Sequence, residues 1–430
     1  LQHLLLDEDN GTLYVGARNR LYALSLNLIS EAEVKTGPVS SSPDCEECVS
    51  KGKDPPTDCQ NFIRLLLDYN ADRLLVCGTN AFQPVCRLIN LGNLDRLEVG
   101  RESGRGRCPY DPQHNSTAVL VDGELYVGTV ADFSGSDPAI YRSLSVRRLK
   151  GTSGPSLRTV LYDSRWLNEP NFVYAFESGD FVYFFFRETA VEDENCGKAY
   201  VSRVARVCKN DVGGPRSLSK KWTSFLKARL ECSVPGESPF YFNELQAAFL
   251  LPAGSESDDV LYGVFSTSSN SIPGSAVCAF SLSDINAVFN EPFKECETGN
   301  SQWLPYPRGL VPFPRPGTCP NNSLSSKDLP DDTLNFIKTH PLMDEAVQPL
   351  TGRPLLVKTD SNYLLTSIAV DRVRTDGGNY TVLFLGTSDG RILKVVLSES
   401  SSSSESVVLE EISVFPPGSP ISDLVISPKK

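Results

Sequence analysis

Residues 171–188 read NFVYAFESGDFVYFFFRE. Two runs rich in aromatic and β-branched residues flank Glu177-Ser178-Gly179-Asp180, whose glycine and aspartate supply turn chemistry. Each run is too short for a packed helix, so the stretch reads as a β-hairpin. The unit recurs: LLLDEDNGTLYVGARN from Leu4, IRLLLDYNADRLLVCGTN from Ile63, TAVLVDGELYVGTVADF from Thr117, NELQAAFLLPAGSESDDVLYGVFSTS from Asn243 and TSIAVDRVRTDGGNYTVLFLGTSDG from Thr366. Its second strands begin near Leu13, Leu74, Leu125, Val182, Leu261 and Leu383. Third strands follow, among them RLYALSL from Arg20, VCRLIN from Val85 and RILKVVLS from Arg391, and fourth strands at LRTVLYD from Leu157, SFLKARLE from Ser224 and VVLEEISVF from Val407.

Repeated four-stranded antiparallel units of this kind predict an all-β fold, a β-propeller whose blades pack face to face around an axis. Tandem sandwiches are the alternative, but separate sandwich domains would not keep repeating one hairpin. Helical periodicity is almost absent before residue 283, which excludes an α/β parallel sheet. The length allows three ordinary domains or one large repeat domain; the repeat favours one domain over residues 1–430.

The spacing breaks once. Leu261 to Leu383 is twice the interval from Leu13 to Leu74, and the surplus lies at about residues 283–358. This insertion carries helix-like pieces at SDINAVFN from Ser283 and DTLNFIKTH from Asp332, the second bounded by Pro330 and Pro341, with the proline-rich LPYPRGLVPFPRPGTCP between them. An elaboration on one blade is where a specific interface would grow, since loops carry function on a rigid scaffold. The run SESSSSSES at Ser398–Ser406 reads as a flexible connection.

Charge and chemistry narrow the function classes. Lys+Arg 41 against Asp+Glu 53 leaves −12, which repels nucleic acid. The short basic groups Arg101/Arg105/Arg107 and Arg147/Arg148/Lys150 lack interleaved aromatics. GTSDG at Gly386–Gly390 matches a nucleophile elbow, but the strand-like RILKVV follows where that motif needs a helix. His3, His114 and His340 are unpaired at ligand or general-base spacing. Glu188, Glu192, Asp193 and Glu194 could in principle hold calcium or hydrolyse glycosides, yet read better as a solvated connection. The aromatic stretches from Lys220 and Pro239 read as core first and interface second. Catalytic residues, metal ligands, cofactors and small-molecule substrates are therefore not expected. Twelve cysteines with one Cys-x-x-Cys, Cys45–Cys48, and sequons at Asn10, Asn115, Asn321 and Asn379 fit a disulfide-bonded glycoprotein on the secretory route. No apolar run is long enough to cross a bilayer, so leader and anchor of an exported protein are expected outside this sequence.

In this order, FVYFFFRETAV, NCGKAYVSRVARVCKNDVGG, KWTSFLKARLECSVPG, NELQ, VLYGVFSTSSNSIPGSAVCAFS, PRPGTCPNN and LNFIKTHPLMDEAV resemble the sema domain of semaphorins, over about Leu4 to Val425. The resemblance implies a seven-bladed β-propeller with an extrusion in blade five, here blades one to six plus the start of blade seven. It also implies a secreted or cell-surface ligand that forms a homodimer and engages plexin receptors in cell and axon guidance. Its cysteine pairs are Cys48–Cys59, Cys77–Cys86, Cys208–Cys319 and Cys232–Cys278, with Cys108–Cys196 as a fifth; Cys45 and Cys296 receive no partner. Lys338 is the implied receptor contact. The segment Glu192–Lys198, with Glu192, Asp193, Glu194, Asn195 and Lys198, resembles a region used in dimerisation.

The family's first strand and its strands beyond PISDLVISP are not in this sequence, so an open sheet edge and marginal stability are expected. Two rival readings carry different consequences. A receptor-side, plexin-like sema domain would bind semaphorins, and a propeller hydrolase would gather titratable groups at one end of the axis.

Overall fold

The computed structural model describes residues 3–27, 42–91, 93–97, 102–143, 156–254, 258–296, 302–320, 324–359, 362–375, 378–398 and 406–427. They form two compact units: Leu1–Tyr162 with Arg216–Trp222 and Ser427–Lys430, and Asp163–Pro215 with Thr223–Ile426. The connection at 399–405, Arg101, Arg147, Arg148, Lys150 and Asn321 lie outside the described residues.

The first unit holds three antiparallel sheets. β1 (His3–Asp7), β2 (Thr12–Ala17) and β3 (Arg20–Ser25) make one; after helix α1 (Ser42–Ser50) come β4 (Ile63–Asn70), β5 (Arg73–Gly78), β6 (Val85–Asn90) and β7 (Asn93–Leu97), with β8 (Glu102–Ser103) also on β6. β9 (Thr117–Val121), β10 (Glu124–Val130), β11 (Pro138–Ser143) and β12 (Leu157–Arg158) complete the third. Successive strand residues point to opposite faces. In β5, Leu74 and Val76 therefore join Tyr14, Leu21 and Ile63 in one buried cluster, whereas Leu75 and Cys77 join Leu88, Leu125 and Val127 in another. A sheet buried on both faces explains why its central strand is apolar throughout, and each such side chain contributes about 1.5–3 kcal/mol. The third sheet is closed by Trp222, whose Nε1 donates to the Ile140 carbonyl at 2.9 Å and whose ring stacks on Tyr126. β12 is shorter than LRTVLYD suggests because the chain turns away: Tyr162 takes φ 54°, and Leu161 and Tyr162 face solvent.

Helix α1, which lacks an amphipathic pattern, stands where helix was not expected. It is stapled by Cys48–Cys59 and rests on Ala81 and Phe82. Asn80, Ala81 and Phe82 all have positive φ, a rare run for non-glycine residues, held by Asn80 N–H donating to Asn61 Oδ1 at 3.0 Å and Ala81 N–H to the Gln60 carbonyl at 3.0 Å. An open groove of about 800 Å³ follows, lined among others by Glu47, Lys51, Phe82, Gln83, Tyr110 and Phe133.

The second unit repeats the plan. Its first sheet is β13 (Asn171–Ser178), β14 (Phe181–Thr189), β15 (Tyr200–Cys208) and β16 (Leu226–Leu230); a small hairpin, β17 (Ser233–Val234) and β18 (Phe240–Tyr241), precedes the next sheet. That sheet has β19 (Glu244–Leu251), β20 (Val260–Ser266), β21 (Ser275–Ser281) and, far along the chain, β24 (Leu356–Lys358). Between β21 and β24 run helix α2 (Leu282–Val288), β22 (Lys294–Glu295), β23 (Leu304–Pro305) and helix α3 (Asp331–Thr339). β25 (Leu365–Thr375), β26 (Gly378–Thr387), β27 (Arg391–Ser398) and β28 (Ser406–Ser413) form the last sheet. Again β20 divides: Leu261 and Phe265 pack with Phe176, Tyr183 and Phe185, while Tyr262 and Val264 pack with Ile368, Leu383 and Leu385.

Every hairpin read from the repeat is thus present, in six sheets among the described residues. GTSDG is a β26–β27 hairpin turn: Gly390 sits at φ 89°, where a Cβ would lie 2.8 Å from the Phe415 carbonyl oxygen.

Candidate interaction surfaces

The long insertion is fixed onto the outer strand of the β13–β16 sheet. Lys227 N–H donates to the Pro341 carbonyl at 2.8 Å, Met343 N–H to that of Lys227 at 2.9 Å, and Val347 N–H to that of Arg229 at 2.8 Å. Lys227↔Leu342 and Leu230↔Val347 are parallel bridges, so residues 341–347 act as an added fifth strand. Cys208–Cys319 ties the same insertion to the end of β15 across 111 residues. A closed loop of that size is worth about 4–5 kcal/mol in the chain-entropy account.

α3 buries Leu334, Phe336 and Ile337; Phe336 stacks on His340 at 3.9 Å and meets Phe293 and Tyr306 edge-on at 5.0 Å. Asp331 and Asp332 in its first turn and Lys338 in its last complement the helix dipole. Lys338 is half-buried, its Nζ 3.5 Å from Asn335 Oδ1, and its carbonyl accepts from Trp166 Nε1 at 3.0 Å. Trp166 is stacked on Phe225 at 5.0 Å, so the helix end carrying Lys338 is located by a buried indole. His340 Nε2 lies 3.2 Å from Glu295 Oε1, a partner the sequence spacing did not reveal.

A second surface lies at the end of the sheets where β14 turns into β15, β16 leads to β19, and β20 turns into β21. Ser202 Oγ, donating to the Asn243 carbonyl at 2.8 Å and accepting from Leu245 N–H at 2.9 Å, locks these connections together. The acidic segment behaves differently from the solvated connection read from its charges. Glu188 is fully buried and its Oε1 accepts from Arg203 Nε at 2.8 Å and Lys227 Nζ at 2.5 Å, while Glu192 Oε2 accepts from Arg203 Nη2 at 2.6 Å. Burial alone would raise the Glu192 carboxyl, but the Arg203 guanidinium outweighs it and holds it down at about 2. Burial pushes the Lys227 ammonium down, with Glu188 opposing. Two acids facing two bases make this an internal neutral cluster, the condition for burying ions at tolerable cost. Glu192 is therefore not a surface contact. Glu194 and Lys198 are exposed, Lys198 paired with Glu169 at 2.6 Å, and Asp193 is half-buried; the side chains of Asn195 and Cys196 lie outside the described residues.

Around Glu194 and Lys198 the same end presents apolar groups that charge reading missed. Val234, Phe240, Tyr241 and Tyr200 are exposed, and Ile272 is 66% exposed on a loop pinned by Thr267 Oγ1, which donates to the Ile272 carbonyl at 2.8 Å. The signal available in sequence was SVPGESPFYF, an aromatic run inside turn residues rather than inside a strand.

Four disulfides are formed: Cys48–Cys59, Cys77–Cys86, Cys208–Cys319 and Cys232–Cys278. The fifth expected pair is not made. Cys108 is a free thiol sealed in the Leu65, Leu75 and Leu125 cluster, where burial pushes it up to about 12 despite Arg64.

A family model described as the Sema domain matches residues 245–428. Semaphorin-1A of Schistocerca americana is 51% identical over 98% of this chain, which spans 57% of that relative's length. The structure of Drosophila Semaphorin 2a superposes with a TM-score of 0.93 at 42% identity, covering all of this chain and 70% of that one. The chain belongs to the semaphorin family. Its six large sheets, four of them four-stranded, are antiparallel blades of an all-β propeller. A further semaphorin chain, from the structure of Drosophila Plexin A in complex with Semaphorin 1b, is 45% identical with a TM-score of 0.88, covering all of this chain and 82% of that one.

Proposed function

We propose that this chain is the extracellular ligand domain of a semaphorin, a non-enzymatic recognition module for a plexin in cell and axon guidance. Seven blades complete the ring, of which the six sheets are six. The observation that carries the reading is the likeness, at 45% identity over the whole chain, to a semaphorin solved in complex with a plexin. The identities of 42–51% are to semaphorins, which favours the ligand side of the fold over the receptor side.

Receptor contact is assigned to the outer side of the β13–β16 sheet, where the α3 end bearing Lys338 is held by Trp166. Self-association is assigned to the end surface of Glu194, Lys198, Val234, Phe240, Tyr241 and Ile272, where charge flanks exposed apolar area. Asn10, Asn115 and Asn379 are exposed and suited to glycans.

Surface plasmon resonance against soluble plexin ectodomains tests the first assignment: Lys338→Glu should weaken binding at least about tenfold, the scale of an interface anchor. Unchanged affinity in a folded variant removes that contact, and absence of binding to any plexin removes the reading. Sedimentation velocity tests the second. Phe240→Asp should shift a dimer to monomer, and a dimer that persists refutes the assignment.

A further inference from the structure

α1 contains an unassigned thiol beside a disulfide. Cys45 and Cys48 lie three residues apart on the helix and so share a face. Cys48 is bonded to Cys59, while Cys45, half-buried, donates from Sγ to the Cys59 carbonyl at 3.3 Å and packs with Cys48, Cys59, Ala81 and Phe82. Three sulfurs thus occupy one cluster, and two of them can be bonded at a time.

We propose that Cys45, Cys48 and Cys59 form a thiol–disulfide exchange site that moves the staple of α1 by one helical turn. The Cys45 thiolate attacks Cys59 Sγ, the Cys45–Cys59 bond forms as Cys48–Cys59 breaks, and Cys48 leaves as a thiolate that takes up the proton Cys45 gave away. One disulfide and one thiol enter and leave, so no oxidant or reductant is consumed. Cys59 is the sulfur attacked because the Cys45 side chain already lies on that residue's backbone. Burial, with Asp44 and Glu46 adding to it, pushes the Cys45 thiol up, which keeps the Cys48–Cys59 form at rest.

The exchange has a mechanical result. Cys45 already lies against Cys59, so the attachment point moves three residues, about 4.5 Å, toward the N-terminus of α1. Glu47 rides on the helix and accepts from Gln83 Nε2 at 2.6 Å across the groove, whose floor includes Phe82. Re-pairing therefore frees Cys48, the neighbour of Glu47, and loosens the tether beside the Glu47–Gln83 contact at the groove.

Non-reducing peptide mapping of the whole chain after alkylation tests this. Freshly isolated protein should carry alkylated Cys45 and linked Cys48–Cys59. After incubation at mildly alkaline pH before alkylation, a Cys45–Cys59 peptide and alkylated Cys48 should rise together, at least tenfold above the level in Cys45→Ser, where that pair cannot form. In Cys48→Ala, oxidatively folded, Cys45–Cys59 should be the principal linkage. Cys45 remaining fully alkylated beside an intact Cys48–Cys59 bond, or Cys45 joining another cysteine, would overturn the proposal; so would alkylated Cys59 in folded Cys48→Ala. Should Cys48→Ala not fold, the wild-type mapping still decides.

Discussion

Among the described residues, two excursions from the sheets carry α-helices, and they are fastened by different means. Residues 282–355 are bound to their unit by added strand pairing along β16, an aromatic cluster around Phe336 and the Cys208–Cys319 bond. The α1 segment is bound to its own unit by the local Cys48–Cys59 bond and by side-chain contacts such as Gln83 to Glu47 and Asn80 Nδ2 to Asp44 Oδ2 at 3.3 Å. Backbone pairing fixes position in both directions along a strand, whereas side-chain contacts can be exchanged one at a time. The difference teaches that length does not set the mode of attachment: the longer excursion is held along its course by backbone pairing, whereas α1 itself is held by side chains and one local disulfide.

The largest effect should come from the bonds. Replacing Cys208 and Cys319 by Ser should cost about 4–5 kcal/mol from the loop closed, against about 3 kcal/mol or less for Cys48 and Cys59 by the same account. Chemical denaturation of both double variants compares them, and equal losses would break the contrast. Next is Phe336→Ala, expected to cost about 3–4 kcal/mol as a buried aromatic deletion, with α3 loosened as read by hydrogen exchange. A smaller, pH-shaped effect belongs to Glu192. Its carboxyl is near 2 in the folded chain and about 4.3 in an unfolded one. The folded state thus favours the charged form, and the resulting stability is complete above the unfolded value and lost as pH falls toward 2. Glu192→Gln should be less stable than wild type at pH 7, with the gap closing between pH 4.5 and 2 in thermal melts; a constant gap would deny the ion pair. Smallest is Lys51→Ala in the groove, expected to stay within about 0.5 kcal/mol as an exposed site.

Local chemistry was legible and distant chemistry was not. The six hairpins could be read because an apolar run, an Asp, Asn or Gly turn and another apolar run specify a hairpin within twenty residues or so. α2 and α3 were readable too, the one from SDINAVFN, one residue inside its observed start at Leu282, the other through Pro330 and Pro341; the Ser281 cap of α2, whose Oγ accepts from Asp284 N–H at 3.1 Å, was not read from the sequence. α1 was hidden because SPDCEECVS has no apolar stripe and owes its place to a disulfide. Glu188 and Glu192 read as solvated because their counter-charges, Arg203 and Lys227, come from neighbouring strands. Within the receptor-contact candidate, Lys338 was named from resemblance, while Trp166, which locates it, lies 172 residues away and has no local signal.

The pairing of residues 341–347 with β16 also limits how anything can dock there. The hydrogen-bonding groups that this border strand would offer to an incoming extended peptide are already spent on the chain itself. A visitor cannot pair directly with β16 along this stretch and meets protruding side chains of the covering segment instead, which favours a preshaped folded partner over a flexible tail.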